Sequence, residues 1–165
     1  MARHRYVIAF GSNRRHVPIG RPRDVLGAAS VELHKAGLDI VRASRPVYSR
    51  PLGPSRRTYA NAAAIVETTL EPEELLALLK RVERHFGRRP GGQLWASRVL
   101  DLDIVLWDGG PYVGPGLVIP HPRFRERSFV LGPAAQVAPR WRDPVTGLTL
   151  RQLTARLTAP RPLSR

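Results

Sequence analysis

The segment WASRVLDLDIVLW, residues 95–107, decides the fold that the sequence predicts. Side chains alternate between the two faces of an extended strand. One face would therefore be wholly apolar, with Leu100, Leu102, Ile104 and Leu106. The other face would carry two carboxylates, in the order Val99, Asp101, Asp103 and Val105. At about 3.3 Å per residue the two carboxylates would lie roughly 6 to 7 Å apart, close enough to repel each other when half-buried.

A positive group should therefore lie between Asp101 and Asp103. An arginine such as Arg98 could supply it. Paired carboxylate oxygens also suit Mg²⁺, which is commonly held by one or two carboxylates together with substrate phosphates. A short Asp-x-Asp pattern is weak evidence by itself, so a solvated strand face with ion pairs remains the alternative.

The length and composition predict one globular domain with a substantial core. The chain has 165 residues, 42% of them hydrophobic, and we expect a single domain over residues 1–158 followed by a flexible tail at 159–165. The absence of cysteine excludes disulfides, thiolate metal sites and a cysteine nucleophile. Apolar runs are too short for a membrane span or a signal peptide, so a cytoplasmic location is expected.

The formal net charge of +14 raises two classes of partner, a nucleic acid and an anionic small substrate. All but two of the 27 basic residues are arginines, and they are scattered over nearly the whole length. Because nucleic-acid binding rewards clustered cations, the scatter favours a small anionic substrate. We expect no nucleic-acid or membrane partner and a monomer.

Periodicity and turn residues predict an alternation of strands and helices. Strands are predicted at residues 5–10, 38–43, 59–68 and 95–107, and helices from Pro22 to a stop at Gly37 and from Pro72 to a stop at Gly87. Short helices are predicted at 128–137 and 149–157, a long irregular loop at 44–57, and turns at 11–13 and 108–116. The resulting βαββαβ order predicts an α+β sandwich with a mostly antiparallel sheet.

Six short motifs occur in one order along the chain: GSN at 11–13, RPLGP at 50–54, YAN at 59–61, FGR at 86–88, SRVLDLDI at 97–104 and PHPRFRERSF at 120–129. Together they resemble the 6-hydroxymethyl-7,8-dihydropterin pyrophosphokinases of folate biosynthesis. The resemblance implies a ferredoxin-like α/β/α fold, ATP and the pterin bound side by side, and two Mg²⁺ ions. It also implies transfer of the β,γ-diphosphoryl group of ATP to the pterin hydroxymethyl oxygen, with release of AMP.

The resemblance assigns the metal and catalytic roles to two pairs of residues. Asp101 and Asp103 would hold both metal ions, which neutralise phosphate charge. Arg88 and Arg98 would stabilise the transferred group, since a guanidinium keeps its charge and its fork matches phosphate. A structural salt-bridge pair is the alternative for the aspartates, and a solvated surface position is the alternative for either arginine.

The resemblance also assigns a pterin pocket. Tyr59 and Phe129 match rings that sandwich the flat pterin, and Asn61 offers a donor and an acceptor to the heterocycle edge. The wall and the lid of the pocket would be formed by Pro51, Leu52, Gly53 and Trp95. The alternative for either aromatic ring is ordinary core packing, and the alternative for Trp95 is a partly exposed packing role.

The nucleotide side involves more cations. By resemblance His121 and Arg127 contact ATP phosphates, together with Arg88 and Arg98, while Lys80 and Ile104 line the nucleotide pocket. The loop at 88–95 is expected to stay open without ligands and to close over both substrates. Glu67 and Glu83 are expected to lie on solvated faces.

Two other functions are also compatible with the sequence. A basic RNA-binding domain would need exposed aromatics on a central strand, whereas the central strand here carries Asp101 and Asp103. A catalytically weakened paralogue could retain the pterin pocket as a binding module. That alternative is motivated by the few basic residues between Arg88 and Trp95 and by Pro122, where the family commonly has an aromatic residue.

Overall fold

The computed structural model describes residues 2–12, 20–49, 59–87 and 99–162 of the chain. The strands in this part are β1 (His4–Ser12), β2 (Asp39–Ala43), β3 (Val47–Ser49), β4 (Tyr59–Thr68), β5 (Asp101–Trp107), β6 (Tyr112–Gly114) and β7 (Leu117–Ile119). The helices are α1 (Pro22–Lys35), α2 (Pro72–Phe86), α3 (Ser128–Val137) and α4 (Leu150–Thr158). The predicted mixed class with an antiparallel sheet is confirmed, and so are its four helices.

The main sheet has the strand order β2-β4-β1-β5, with β3 also paired to β4, and every pairing is antiparallel. The long strands β1 and β4 run in continuous register from His4 opposite Thr68 to Ser12 opposite Ala60. The prediction that the aspartate-bearing strand is central is therefore wrong. Within the described residues β5 pairs with β1 alone and forms one end of the sheet.

A register shift in the β1–β5 pairing changes the face on which Leu106 lies. Ile8 pairs with Ile104 but Val7 pairs with Leu106, so Val105 is an extra residue in β5. Such a bulge breaks the period of two. Leu106 consequently packs in the same core layer as Val7, and the prediction that it shares a face with Leu102 and Ile104 is wrong.

Two apolar layers cover the two faces of the sheet. The layer under α1 and α2 contains Tyr6, Ile8, Phe10, Leu33, Leu79 and Leu102. The layer under α3 and α4 contains Val7, Ala9, Val105, Phe124, Leu131 and Leu150. Each fully buried large side chain contributes about 1.5 to 3 kcal/mol, so both layers stabilise the sheet that carries the candidate site. No helix in the described ranges is long and apolar enough to cross a membrane.

Some irregular segments contain more structure than the sequence predicted. The region predicted as a loop at 44–57 includes β3, and the region predicted as a turn at 108–116 includes β6, which pairs with the unpredicted β7. Three-residue strands are too short to show an alternating pattern. The predicted turn at 11–13 is wrong at its first two residues, because Gly11 and Ser12 continue β1 opposite β4.

Candidate active site

The first part of the candidate site lies where three neighbouring strands meet. Gly11 of β1 is opposite Asn61 of β4 on one side and opposite Asp101 of β5 on the other. A Cβ atom on Gly11 would lie 3.2 Å from Asn61 Oδ1 and 3.9 Å from Asp101 Cβ. Because Gly11 has no side chain, Asn61, which is predicted to bind the pterin, and Asp101, which is predicted to bind metal, can approach each other across β1. The sequence motif contained this glycine, but its spacing role was not predicted.

The second aspartate lies two residues further along β5. Asp103 is opposite the small Ala9 of β1, and both aspartates are half-buried. Ala9 belongs to the layer under α3 and α4, so the two carboxylates share the side of the sheet that these helices cover. The predicted pairing of the carboxylates on one face is confirmed by this register.

Glu83 of α2 binds the backbone between the two aspartates. The Leu102 N–H donates to Glu83 Oε1 at 2.7 Å, and Lys80 Nζ lies 3.1 Å from Glu83 Oε2. The Glu83 side chain is only 15% exposed, so the prediction of a solvated face is wrong. Glu83 lies four residues after buried Leu79 and three before buried Phe86, and this position beside the apolar stripe was a usable signal.

Glu67 was also expected on a solvated face. It accepts hydrogen bonds from Arg5 at 2.8 Å and Arg3 at 3.3 Å, and its side chain is 22% exposed. Arg5 is directly opposite Glu67 in the β1–β4 ladder. Glu67 therefore belongs to a surface ion-pair group at the end of the sheet away from Asp101.

His121 lies against the outer edge of β5. Its backbone N–H donates to the Val105 carbonyl at 3.0 Å, and its ring Nδ1 accepts from the Arg123 backbone N–H at 3.2 Å. Burial lowers the pKa of His121 below its ordinary 6.5; the Asp103 carboxylate raises it, and the guanidinium groups of Arg127 and Arg123 lower it further. The imidazole is therefore neutral at pH 7, and with Nδ1 accepting, its proton is on Nε2.

The predicted ring of Phe129 is at the surface. Phe129 is 38% exposed near the start of α3, and the Arg127 guanidinium lies 5.9 Å from its ring centroid. The core-packing alternative for Phe129 is thus wrong. Tyr59 is half-buried at the start of β4, the strand against which α3 packs. Both rings therefore belong to adjoining elements, although their pterin role stays a prediction.

The two remaining described residues differ in their surroundings. Lys80 is 42% exposed and pairs with Glu83, whereas Ile104 is buried in the layer under α1 and α2. Their predicted role in lining a nucleotide pocket stays a prediction. The predictions for Arg88, Arg98, Trp95, Pro51, Leu52 and Gly53, and for closure of the loop at 88–95, concern residues outside the described ranges.

The described residues thus combine the Asp101 and Asp103 carboxylates with the neutral His121 and the guanidinium groups of Arg123 and Arg127. Transfer of a phosphate-containing group requires charge neutralisation and positioning more than covalent work by the protein, and these groups suit that class of transferase. A family model described as "7,8-dihydro-6-hydroxymethylpterin-pyrophosphokinase (HPPK)" matches residues 7–139. The chain belongs to this family, and it is an ATP-dependent pyrophosphokinase.

Curated relatives agree with this assignment. The chain is 38% identical to "2-amino-4-hydroxy-6-hydroxymethyldihydropteridine pyrophosphokinase" of Synechocystis sp., over 91% of this chain and 74% of the relative. It is 32% identical to the protein of the same name from Methylorubrum extorquens, over 93% of both chains. The reaction is transfer of the pyrophosphoryl group of ATP to hydroxymethyldihydropterin in folate synthesis.

A solved structure supports the fold at low sequence identity. The Plasmodium falciparum HPPK-DHPS crystal structure matches with a TM-score of 0.68 and 14% identity, over 94% of this chain. This chain spans 44% of that chain. The similarity shows that the described fold is one adopted by an HPPK-containing protein.

Proposed function

We propose that Asp101 and Asp103 form the Mg²⁺ centre of this pyrophosphokinase, where two ions would be held between the aspartates and the ATP phosphates. The observation that supports the proposal is the pair of half-buried carboxylates on one face of β5. The described residues contain no group of three or more His, Asp or Glu side chains able to hold a metal. Phosphate oxygens would complete the coordination, a donor set that Mg²⁺ commonly accepts.

Bound Mg²⁺ would neutralise phosphate charge as the bond to AMP breaks. The task of this chain is to position the two substrates. Asn61 lies across Gly11 from Asp101, so a pterin that forms hydrogen bonds with Asn61 would lie next to the Asp101 carboxylate. Phe129 and Tyr59 would stack on the pterin ring, and the predicted wall at Pro51, Leu52 and Gly53 would close its other side.

The phosphate side of the site is assigned to the cations. His121 would donate its Nε2–H to a phosphate oxygen, and Arg127 would add a fixed charge. Arg88 and Arg98 would stabilise the diphosphoryl group in transit, and Trp95 would cover both substrates. Lys80 and Ile104 would line the remainder of the nucleotide pocket.

The ferredoxin-like topology is part of the same proposal. The strand order β2-β4-β1-β5 and the chain order of two strand–helix–strand units support it. The domain limits at 1–158, the monomeric state and the cytoplasmic location stay predictions.

The test is AMP release from ATP and 6-hydroxymethyl-7,8-dihydropterin with Mg²⁺, measured beside pterin titration. Asp101→Asn and Asp103→Asn should abolish AMP release and retain pterin binding. Asp108→Asn is the matched control, because Asp108 follows the other end of β5. Activity of either aspartate variant at the wild-type rate would refute the metal assignment.

A further inference from the structure

The loop after β7 and the C-terminal part of the chain are connected by a buried ion pair. We propose that Arg125 and Asp143 are positioning residues, which hold the phosphate-side segment (residues 120–127) in the place where His121 and Arg127 can bind ATP phosphates. The inference rests on the proposed function of that segment.

The geometry of the pair is bidentate. Arg125 Nε donates to Asp143 Oδ2 at 2.5 Å and Arg125 Nη2 donates to Oδ1 at 2.7 Å. The Asp143 side chain is fully buried and the Arg125 side chain is 26% exposed. Two parallel charge-assisted hydrogen bonds fix the direction of a guanidinium as well as its distance. Arg125 therefore has a defined orientation.

Asp143 is held firmly by its own surroundings, the C-terminal loop (residues 138–149). Its carboxylate also accepts from the Val145 N–H at 3.0 Å and the Thr146 hydroxyl at 2.7 Å. Its backbone N–H donates to the Leu148 carbonyl, and its carbonyl accepts from the Gly147 N–H, both at 2.8 Å. The loop thus provides a rigid support that lies outside the proposed substrate contacts.

The phosphate-side segment needs such a support because it concentrates positive charge. Arg123 and Arg127 both lower the pKa of His121, so their charges are close to that ring. A third guanidinium there would add repulsion, but Arg125 is turned to Asp143 instead. Arg125 therefore has a different task from Arg123 and Arg127, although the three arginines are regularly spaced in the sequence.

The segment is also attached on both sides of Arg125, since the Arg127 carbonyl accepts from the Val130 and Leu131 N–H groups of α3 at 3.0 and 2.8 Å. The His121 backbone N–H donates a hydrogen bond to Val105 of β5, and Phe124 is fully buried in the layer under α3 and α4. From residue 125 to the start of α3, the hydrogen bonds that described side chains make are those of Arg125 to Asp143. Arg127 lies two residues later at the start of α3, so this pair fixes the chain between its attachment to β5 and the helix end from which Arg127 extends.

The test compares ATP and pterin affinities of purified variants by titration with Mg²⁺–ATP and with the pterin. Arg125→Gln should weaken ATP binding roughly 10- to 100-fold, because displacement of a binding group by about 1 Å can cost that much. Pterin affinity should be unchanged. Arg125→Lys keeps the charge but not the fork, so ATP affinity should be intermediate. Asp143→Asn should reproduce the ATP defect from the other side of the pair.

Two controls separate positioning from general destabilisation. Arg142→Gln removes a guanidinium that donates to Gly147 in the same C-terminal loop, and it should leave ATP affinity unchanged. Val25→Ala weakens the opposite core layer, and it should lower Tm without changing ATP affinity. Should Arg125→Gln fail to fold, Arg125→Lys decides the question.

Wild-type ATP affinity in Arg125→Gln and Asp143→Asn would overturn the inference. An equal loss of ATP affinity in Val25→Ala at matched Tm would also overturn it. The proposed metal centre is tested separately by AMP release in Asp101→Asn and Asp103→Asn. The inference is judged by comparing the ATP affinity of each variant with that of the wild type, a measurement that needs no turnover. The inference and the proposed metal centre can therefore fail independently.

Discussion

Two regions of the molecule use aspartate in opposite ways. Asp143 is fully buried and accepts from Arg125, Val145 and Thr146, so its oxygens are occupied by donors of the chain. Asp103 is half-buried on β5, and it forms no ion pair with another residue that the structure describes. The difference teaches that a structural carboxylate such as Asp143 is both buried and surrounded by donors of the chain, whereas Asp103 is partly exposed and can bind a ligand.

The energetic consequences differ in the same way. Breaking a buried ion pair by removing one partner leaves a buried charge uncompensated, which destabilises the fold. A half-buried carboxylate beside cations contributes little to folding, but it can neutralise a ligand's metal ions. Loss of Asp143 should therefore reduce stability, and loss of Asp103 should reduce catalysis.

The largest effect is expected for Asp103→Asn. Metal-dependent charge stabilisation is worth several kcal/mol, so kcat should fall by about 1,000-fold or more. Tm should stay near the wild-type value because the residue is not in the core. AMP release and a thermal melt measure both quantities. A variant that unfolds, or one that retains a tenth of wild-type kcat, would remove the contrast with Asp143.

The next effect concerns Phe129, which follows the phosphate-side segment. Phe129→Ala should weaken pterin binding by roughly 1 to 3 kcal/mol through lost stacking and burial. Because the ring is 38% exposed, Tm should change little. Pterin titration checks the affinity, with Val130→Ala as the neighbouring control on α3. Unchanged pterin affinity in Phe129→Ala would remove the stacking role.

A smaller effect is expected in acid. The Arg125, Thr146 and Val145 hydrogen bonds outweigh burial and lower the pKa of Asp143 from 3.8 to about 2. Because the folded state binds this proton less tightly than the unfolded state, the contribution of the pair is full above pH 3.8 and disappears as the pH falls through about 2. Its size is about 2 kcal/mol at 1.36 kcal/mol per pKa unit.

Urea unfolding at pH 5 and pH 2.5 measures this contribution. The stability difference between wild type and Arg125→Gln should shrink at the lower pH. The comparison of the two proteins cancels acid-sensitive groups that lie outside the phosphate-side segment. A constant difference between the two pH values would show that Arg125 does not set the titration of Asp143.

The sequence predicted the regular elements well because their signals are local. The bounds of α2 follow from Pro72 at the helix start and from Gly87 at its end, and those of β4 match the predicted run at 59–68. The bulge at Val105 could not be predicted, since a period of two assumes unbroken pairing with β1. The period of two therefore predicts the wrong face for Leu106. The prediction that this strand is central is also wrong, because strand order depends on long-range pairing.

The candidate site was predictable where residue type alone carries the chemistry. Asp101 and Asp103 form a visible carboxylate pattern, and His121 lies in a visibly cationic segment. Arg125 could not be distinguished from Arg123 and Arg127, because its partner is 18 residues later in a loop without a motif. Such long-range pairing becomes visible only when the fold brings the two segments together.

The smallest effect is expected for Glu83→Gln, which tests the comparison on a third carboxylate. Glutamine keeps an oxygen that can accept from the Leu102 N–H, and the lost ion pair involves a lysine that is 42% exposed. The stability change should therefore be below about 1 kcal/mol. Glu83→Ala is the control, since it leaves the Leu102 N–H without its acceptor and should cost about 1 to 3 kcal/mol. Asp143→Asn makes the same carboxylate-to-amide change at a bidentate pair, so it should be the more damaging substitution. Denaturant unfolding of the three variants ranks them, and equal losses in Glu83→Gln and Asp143→Asn would show that a buried bidentate pair is no more sensitive to this change than the partly exposed Lys80–Glu83 pair.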